Sequence, residues 1–383
     1  MDKLRFAFRY PLFVPGCLFV FAVVVRLLPG ERIVDDAYIT FRYARNIVNG
    51  IGFVYNPGER VMGTTTPLYT LLMAGLSFLL RTDTYPSIAI WVNALADGAT
   101  CALLVPLGQA ISGRRRVGVA AGLLYAITPF SVTFAIGGME TSVFVLLLCL
   151  TALLYLRDSI YWSLTAALAL LTRPDALIFI GPIGLHYLIR YFRSFSNRHY
   201  ALPVTHFDLL KSSALSLTPL LPWAFFAALY FGSPIPHSIA AKTAAYHLMP
   251  QEGFVRLLQH YSTPFLEHLT FASTPTLITF LVVYFTLSII GTLAGRRHNP
   301  CTLPITFYPF LYFLTFAIAN PLIFRWYLTP PLPFYFILIL TGISHIIENI
   351  SKFANRSSAP PPPHTHTFFA LTCAFFIFLT GRA

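Results

Sequence analysis

Long apolar runs separated by short polar or basic turns dominate the chain. At about 18 to 22 residues each, these runs have the length of helices that cross a bilayer, and the period-two alternation of a membrane barrel is missing. The pattern breaks straight after the first run, where residues 33 to 46 read IVDDAYITFRYARN. From there Ala37, Phe41, Ala44 and Val48 recur at i, i+4, i+7 and i+11, with Tyr38, Arg42, Arg45 and Asn49 beside them. This spacing predicts an amphipathic helix lying on the membrane, with the acidic pair Asp35 and Asp36 at its N-terminal end. The glycine-rich stretch GIGFVYNPGERVMGTTTPL, 50 to 68, reads as an ordered loop. The apolar segment 67 to 80, about 14 residues, is short for a crossing and reads as a re-entrant or interfacial helix.

Charge orders the remaining runs. With 67 to 80 kept outside, the second span covers roughly 87 to 111, and the cluster Arg114-Arg115-Arg116 falls on the cytoplasmic side, as the positive-inside bias requires. The third span, 117 to 136, then returns to Gly137-Gly138-Met139-Glu140 outside. Continued alternation predicts about eleven spans with a cytoplasmic N-terminus. The expected organisation is a transmembrane module over 1–345, with a first outer loop at about 30–86 and a second at about 232–272. A proline-rich cytoplasmic linker over 346–366 and a C-terminal transmembrane helix over 367–383 would follow.

Composition agrees with an all-α polytopic membrane protein. Of 383 residues, 56% are hydrophobic and 10% charged, against about 25% charged in soluble domains, and the mean hydropathy is +0.68. The net charge of +12 therefore reads as the lysine and arginine excess of cytoplasmic loops, and no nucleic-acid partner is expected. Four of five cysteines lie within apolar runs, so no disulfide framework is expected. The first run follows Lys3, Arg5 and Arg9 without a small-residue cleavage site and is expected to stay as a span.

This topology gathers the polar residues with chemical potential on the extracytoplasmic face. One carboxylate suffices to cap a helix, and a second directly beside it costs repulsion unless a cation or reacting group is near. Asp35 and Asp36 are therefore the catalytic candidates. Glu140 begins the fourth span on the same side. Cations there run against the topological bias, so Arg42, Arg45, Arg173, Lys242 and Arg325, with His237 in a loop, point to an anionic ligand such as a phosphate. No nucleotide loop, dinucleotide fingerprint or metalloprotease motif occurs. A substrate activated as a lipid phosphate, arriving through the membrane, fits that pattern. A transporter or flippase of lipid-linked sugars is the alternative. Asp97, the clear acidic residue well inside a span, carries that alternative, since ionisable groups in spans mark function by default.

The order of one span, DDAYITFRYARNIVNGIGFVYNPGERV with GTTTPL, an interfacial helix, a basic turn and GGMETS resembles the membrane-embedded C-type glycosyltransferases. The likeness extends through LTRPDAL (171–177), FGSPIPHSIAAK (231–242) and RWYLTPPLPFY (325–335), and is strongest to the bacterial branch with the terminal β-(1→2)-arabinofuranosyltransferases. It implies a helical bundle with interfacial helices in its first outer loop, located in the plasma or inner membrane. It further implies a polyprenyl-phosphate sugar donor, a glycan or lipid acceptor, and Asp35 or Asp36 as general base, with Asp35 preferred. Asp36 and Glu140 would orient the acceptor or the base, or hold a divalent cation. The chain departs from the pattern at Met62-Gly63, where relatives often have an acidic residue before the glycine, and a large C-terminal outer domain of the kind many relatives carry is not expected after its last spans.

Overall fold

A computed structural model describes residues 12–196, 204–238, 249, 251–265, 274–319 and 323–356. Among these the chain is helical and without strands. The longer helices in chain order are α1 (Phe13–Leu27), α2 (Ala37–Val48), α3 (Pro67–Leu80), α4 (Tyr85–Ser112), α5 (Arg115–Ile127), α6 (Pro129–Ile136) and α7 (Thr141–Leu156). They continue with α8 (Trp162–Thr172), α9 (Leu177–Ser196), α10 (His206–Phe231), α11 (Glu252–Ser262), α12 (Thr274–His298), α13 (Tyr308–Ala319) and α14 (Leu332–Arg356). The last of these runs on past 345, the boundary expected for a linker. The proline run and the C-terminal span lie outside the described residues, as does Lys242.

Among the described residues, 5 helices are long and apolar enough to cross a membrane, and up to 6 if a bent pair counts as one span. Four more apolar helices, α1, α3, α7 and α8, are shorter than a full crossing. The protein is thus a multi-pass membrane protein, with fewer full-length spans among the described residues than the eleven that hydropathy and charge alternation predict. Helix α3, the segment expected to be re-entrant or interfacial, is one of the short ones.

The bent pair is α5 and α6, which meet at 53°. Pro129 has no N–H to give the carbonyl of Tyr125, and a proline in a helix leaves such groups orphaned. Arg26 of α1 repairs the break. It is 0% exposed, its Nη2 donates to the Tyr125 carbonyl at 3.1 Å and to Ser131 Oγ at 2.9 Å, and its Nη1 donates to the Ala126 carbonyl. Its Nε donates to Asp97 Oδ2 at 2.9 Å. Asp97, the acid that sequence marked for function, is therefore the counter-ion of a helix-break clamp.

Helices α12 and α14 approach closely enough to exclude a side chain. A Cβ on Gly342 would lie 2.1 Å from the Leu287 carbonyl oxygen, and one on Gly291 2.0 Å from that of Leu338. Small residues at such crossings bring backbones into contact inside membranes. Gly342→Ala is accordingly expected to lower stability by about 1 to 3 kcal/mol, because the obstruction is backbone and cannot rotate away. Thermal unfolding of the purified variant checks this, and an unchanged midpoint would refute the close crossing.

Candidate functional site

The periodicity of α2 is realised: Ala37, Phe41 and Ala44 are buried while Tyr38, Arg42, Arg45 and Asn49 face out, and Val48 is half-buried. Asp36 occupies the N-cap, but no side-chain capping bond forms. Instead Asp35 Oδ1 accepts a hydrogen bond from the Asp36 N–H at 3.0 Å. Asp35 is exposed and Asp36 half-buried, and neither forms an ion pair among the described residues. The acidic pair is thus free of the structural duties that would account for it.

Backbone bonds fix the pair's position. The Val34 N–H donates to the Gly137 carbonyl at 3.0 Å and that of Arg32 to the Ile136 carbonyl at 3.4 Å, which ties the approach to Asp35 onto the GGMET turn. Gly138 turns there with a φ of +78°, and a Cβ would sit 3.0 Å from Ile33 Cδ1 and 3.2 Å from Phe41 Cζ. Only glycine takes that backbone conformation cheaply in so tight a place. Below the turn, Asn93 Nδ2 of α4 donates to the carbonyls of Met139 at 2.8 Å and Ala135 at 3.0 Å, and the Tyr69 hydroxyl donates to that of Gly138 at 3.1 Å.

Glu140, at the end of this turn, meets Arg173. The Arg173 guanidinium donates Nη1 to Glu140 Oε1 at 3.2 Å, and Nε and Nη2 to the two oxygens of Asp175 at 2.9 and 3.1 Å. Burial alone would lower the Arg173 pKa, but Asp175 and Glu140 raise it well above its ordinary value and hold the charge in place. The Tyr327 ring covers the guanidinium at 4.7 Å, and the Tyr312 hydroxyl lies 2.7 Å from the Tyr327 carbonyl and 3.3 Å from Asp175 Oδ2. Asp36 is within electrostatic reach of Tyr327. Four separate stretches, 32–36, 137–140, 173–175 and 325–328, therefore converge on one place.

The remaining sequence candidates divide between this centre and the loop beside it. Arg325 is exposed, two residues before Tyr327. Arg42 donates Nε to the Tyr55 carbonyl at 3.2 Å and lies over the Tyr55 ring, while Arg45 lies over Tyr85. His237 clips the loop to the start of the second outer segment: its N–H donates to the Met62 carbonyl at 3.1 Å, and its Nδ1 accepts from the Met62 N–H at 3.3 Å. An accepting Nδ1 leaves the proton on Nε2. The loop is also nailed to α2, where the Tyr43 hydroxyl donates to the Val61 carbonyl at 2.7 Å and accepts from the Gly63 N–H at 2.9 Å. Asn46 Nδ2 reaches the carbonyls of Val54 and Tyr55. Met62, at the position where the resembling family often has an acidic residue, is 0% exposed and packs in a small cluster with Phe53 and Phe231.

Asp175, which the sequence places on the outer face without a role, completes the centre with Tyr312, Tyr327 and Asn93, which the sequence does not single out. Asp175 and Tyr327 sit inside recognisable stretches, RPDA and RWYL, whereas nothing local distinguishes Asn93 or Tyr312 from the polar residues of other spans. Among the described residues no three His, Cys, Asp or Glu side chains group so as to hold a metal ion.

No protein-family model matches the chain. A terminal β-(1→2)-arabinofuranosyltransferase of Mycobacterium tuberculosis is 30% identical over 162 residues, which is 40% of this chain and 24% of that protein. The chain thus spans about a quarter of the length of that curated relative. In structure it is similar to the oligosaccharyltransferase of Archaeoglobus fulgidus solved with a tethered acceptor peptide, at a TM-score of 0.55 and 13% identity, over 96% of this chain and 54% of that one. In fold and in its sequence motifs, the chain resembles the membrane-embedded C-type glycosyltransferases.

Proposed function

We propose that the protein transfers a sugar from a polyprenyl-phosphate donor to a glycan or lipid acceptor at the extracytoplasmic membrane surface, with Asp35 as the general base. The observation that carries this reading is an acidic pair without capping or ion-pair duty, fixed by backbone bonds beside a buried Glu140–Arg173–Asp175 cluster.

An acceptor hydroxyl attacks the anomeric carbon while its proton passes to the Asp35 carboxylate, and the bond from that carbon to the phosphate oxygen breaks. The lipid phosphate leaves with the electron pair. Direct displacement inverts the anomeric centre. A carboxylate within hydrogen-bond reach lowers the barrier, since the hydroxyl loses its proton far more readily to a placed base than to water. Asp36 and Glu140 orient the acceptor, and these two carboxylates would hold a divalent cation if the reaction used one.

Fixed cations stabilise the charge that grows on the leaving phosphate. Arg325, exposed at this centre, and Lys242 have that role, with Arg42 on the exposed rim; Arg45 lies over Tyr85 and faces a separate groove. Arg173 already faces two carboxylates, so it acts by holding Glu140 and Asp175 in position. His237, exposed beside the loop, donates to a sugar or phosphate oxygen. The transporter reading loses its main support, because Asp97 is closed off by Arg26.

Incubating the purified protein in nanodiscs with a panel of polyprenyl-phosphate sugars and glycan acceptors, with and without divalent cations, tests the proposal. Release of polyprenyl phosphate from one donor is expected. Failure to turn over any donor, together with movement of the lipid-linked sugar between leaflets, would replace transfer by transport.

A further inference from the structure

A second polar recess lies beside α2, apart from the acidic pair. It is a groove of about 830 Å³ lined by Arg45 and Asn49 of α2, Phe78 and Leu79 of α3, and Arg81 and Asp83 of the following turn. We propose that this groove holds the headgroup of a phosphodiester lipid bearing a hydroxylated head, with its chain laid along the exposed end of α3. The proposal does not rest on the transferase reading.

The first ground is charge. Neither Arg45 nor Arg81 forms an ion pair among the described residues, although Asp83 lines the same groove. Two guanidinium forks against one carboxylate leave the groove net positive, and such forks match phosphate oxygens in geometry. Asp83 and Asn49 supply acceptors for the hydroxyls of a polyol head.

The second ground is the way both cations are held. Arg45 lies over the Tyr85 ring at 5.6 Å, Tyr85 stacks on Phe41 at 5.9 Å, and the hydroxyls of Tyr85 and Ser77 are 3.1 Å apart. The floor beneath Arg45 is therefore rigid. Arg81 closes α3 at a φ of 52°, a left-handed conformation that glycine adopts without the clash a side chain brings. The helix ends on an arginine where a glycine would be relaxed, and that places a guanidinium in the groove.

The third ground is the wall. Phe78, Leu79 and Leu80 are 69%, 74% and 63% exposed, which leaves a continuous apolar lip next to the two arginines. Free phosphate has no use for such a lip. A lipid uses both parts.

The strain at Arg81 supplies a separable test. Thermal midpoints of the purified full-length protein in a non-ionic detergent are compared with added phosphatidylglycerol, phosphatidylcholine or glycerol 3-phosphate. Phosphatidylglycerol is expected to raise the wild-type midpoint by about 5 °C at saturation, and the other two by a small fraction of that. Arg81→Gly is expected to start at or above the wild-type midpoint, as its backbone relaxes, yet to lose more than half of the lipid-induced rise. Arg45→Gln, which keeps its helix, is expected to lose as much. An equal rise with phosphatidylcholine would reduce the groove to a non-selective apolar contact, and a full rise with glycerol 3-phosphate would make it a site for soluble phosphates. An undiminished response in both variants would place the lipid elsewhere. Each of these results overturns the proposal.

Discussion

Asp35→Asn is expected to reduce sugar transfer by about 10²- to 10⁴-fold, the usual worth of a positioned general base, while leaving the fold intact. The two parts of this expectation come from different observations. Asparagine keeps the size of the side chain and an oxygen that can accept the bond from the Asp36 N–H, so the local geometry survives. Asp35 is exposed and forms no ion pair among the described residues, and substitutions at such positions commonly stay within about 0.5 kcal/mol of wild type. What is lost is the ability to take a proton. Asp36→Asn is expected to be the milder change in transfer rate, because Asp36 has an orienting role. Initial rates with a saturating donor, measured beside thermal midpoints for both variants, decide the matter. If Asp36→Asn loses the larger factor, the two carboxylates exchange roles, and if both variants turn over at the wild-type rate, neither is the base.

The sequence made the α2 region legible because its helix is half-buried. Period 3.6 shows only where one face meets apolar neighbours and the other meets water, as Phe41 and Arg45 do. The same reading fails in the bundle, where a helix is apolar on every side and periodicity vanishes. That is why Asn93, which holds the GGMET turn from the first third of α4, gave no signal. Asp97 did give a signal, as a carboxylate in an apolar run, but the run could not disclose Arg26, which lies far off in sequence on α1. Span count is the less legible part. Charge alternation divides the chain into crossings without regard to how far each helix reaches, whereas α1, α7 and α8 are short helices beside longer ones. The expected cations fared unevenly for a related reason. Composition marks Arg173 as a positive charge on the working face, and only the folded chain brings Glu140 and Asp175 to it.

Removing Arg26 is expected to be the most damaging single change to the fold. Arg26→Met leaves Asp97 charged and buried without its partner, and it strips the carbonyls of Tyr125 and Ala126 of the donor that bridges the α5–α6 bend. Breaking a buried ion pair from one side costs about 3 to 5 kcal/mol, and the stranded Ala126 carbonyl adds about 1 to 3 kcal/mol, while that of Tyr125 keeps the Ser131 hydroxyl as donor. Losses of this size are comparable with the whole stability of a domain, about 5 to 15 kcal/mol, so the variant is expected to fail to accumulate as a monodisperse protein in detergent. Asp97→Asn is the informative partner. It leaves the buried guanidinium without its counter-charge but keeps an acceptor for Arg26 Nε and the bonds to α5 and α6, so a loss of about 3 kcal/mol, the low end of the range for a broken buried pair, is expected. The double change Arg26→Met with Asp97→Leu removes both charges and is expected to recover part of the loss, since burying an ion pair carries its own desolvation cost. Recovery stays incomplete because the bend at Pro129 still lacks its donor. Size-exclusion profiles and thermal midpoints of the three variants test this ordering. An Asp97→Asn protein that is as stable as wild type but inactive would instead assign Asp97 to the chemistry.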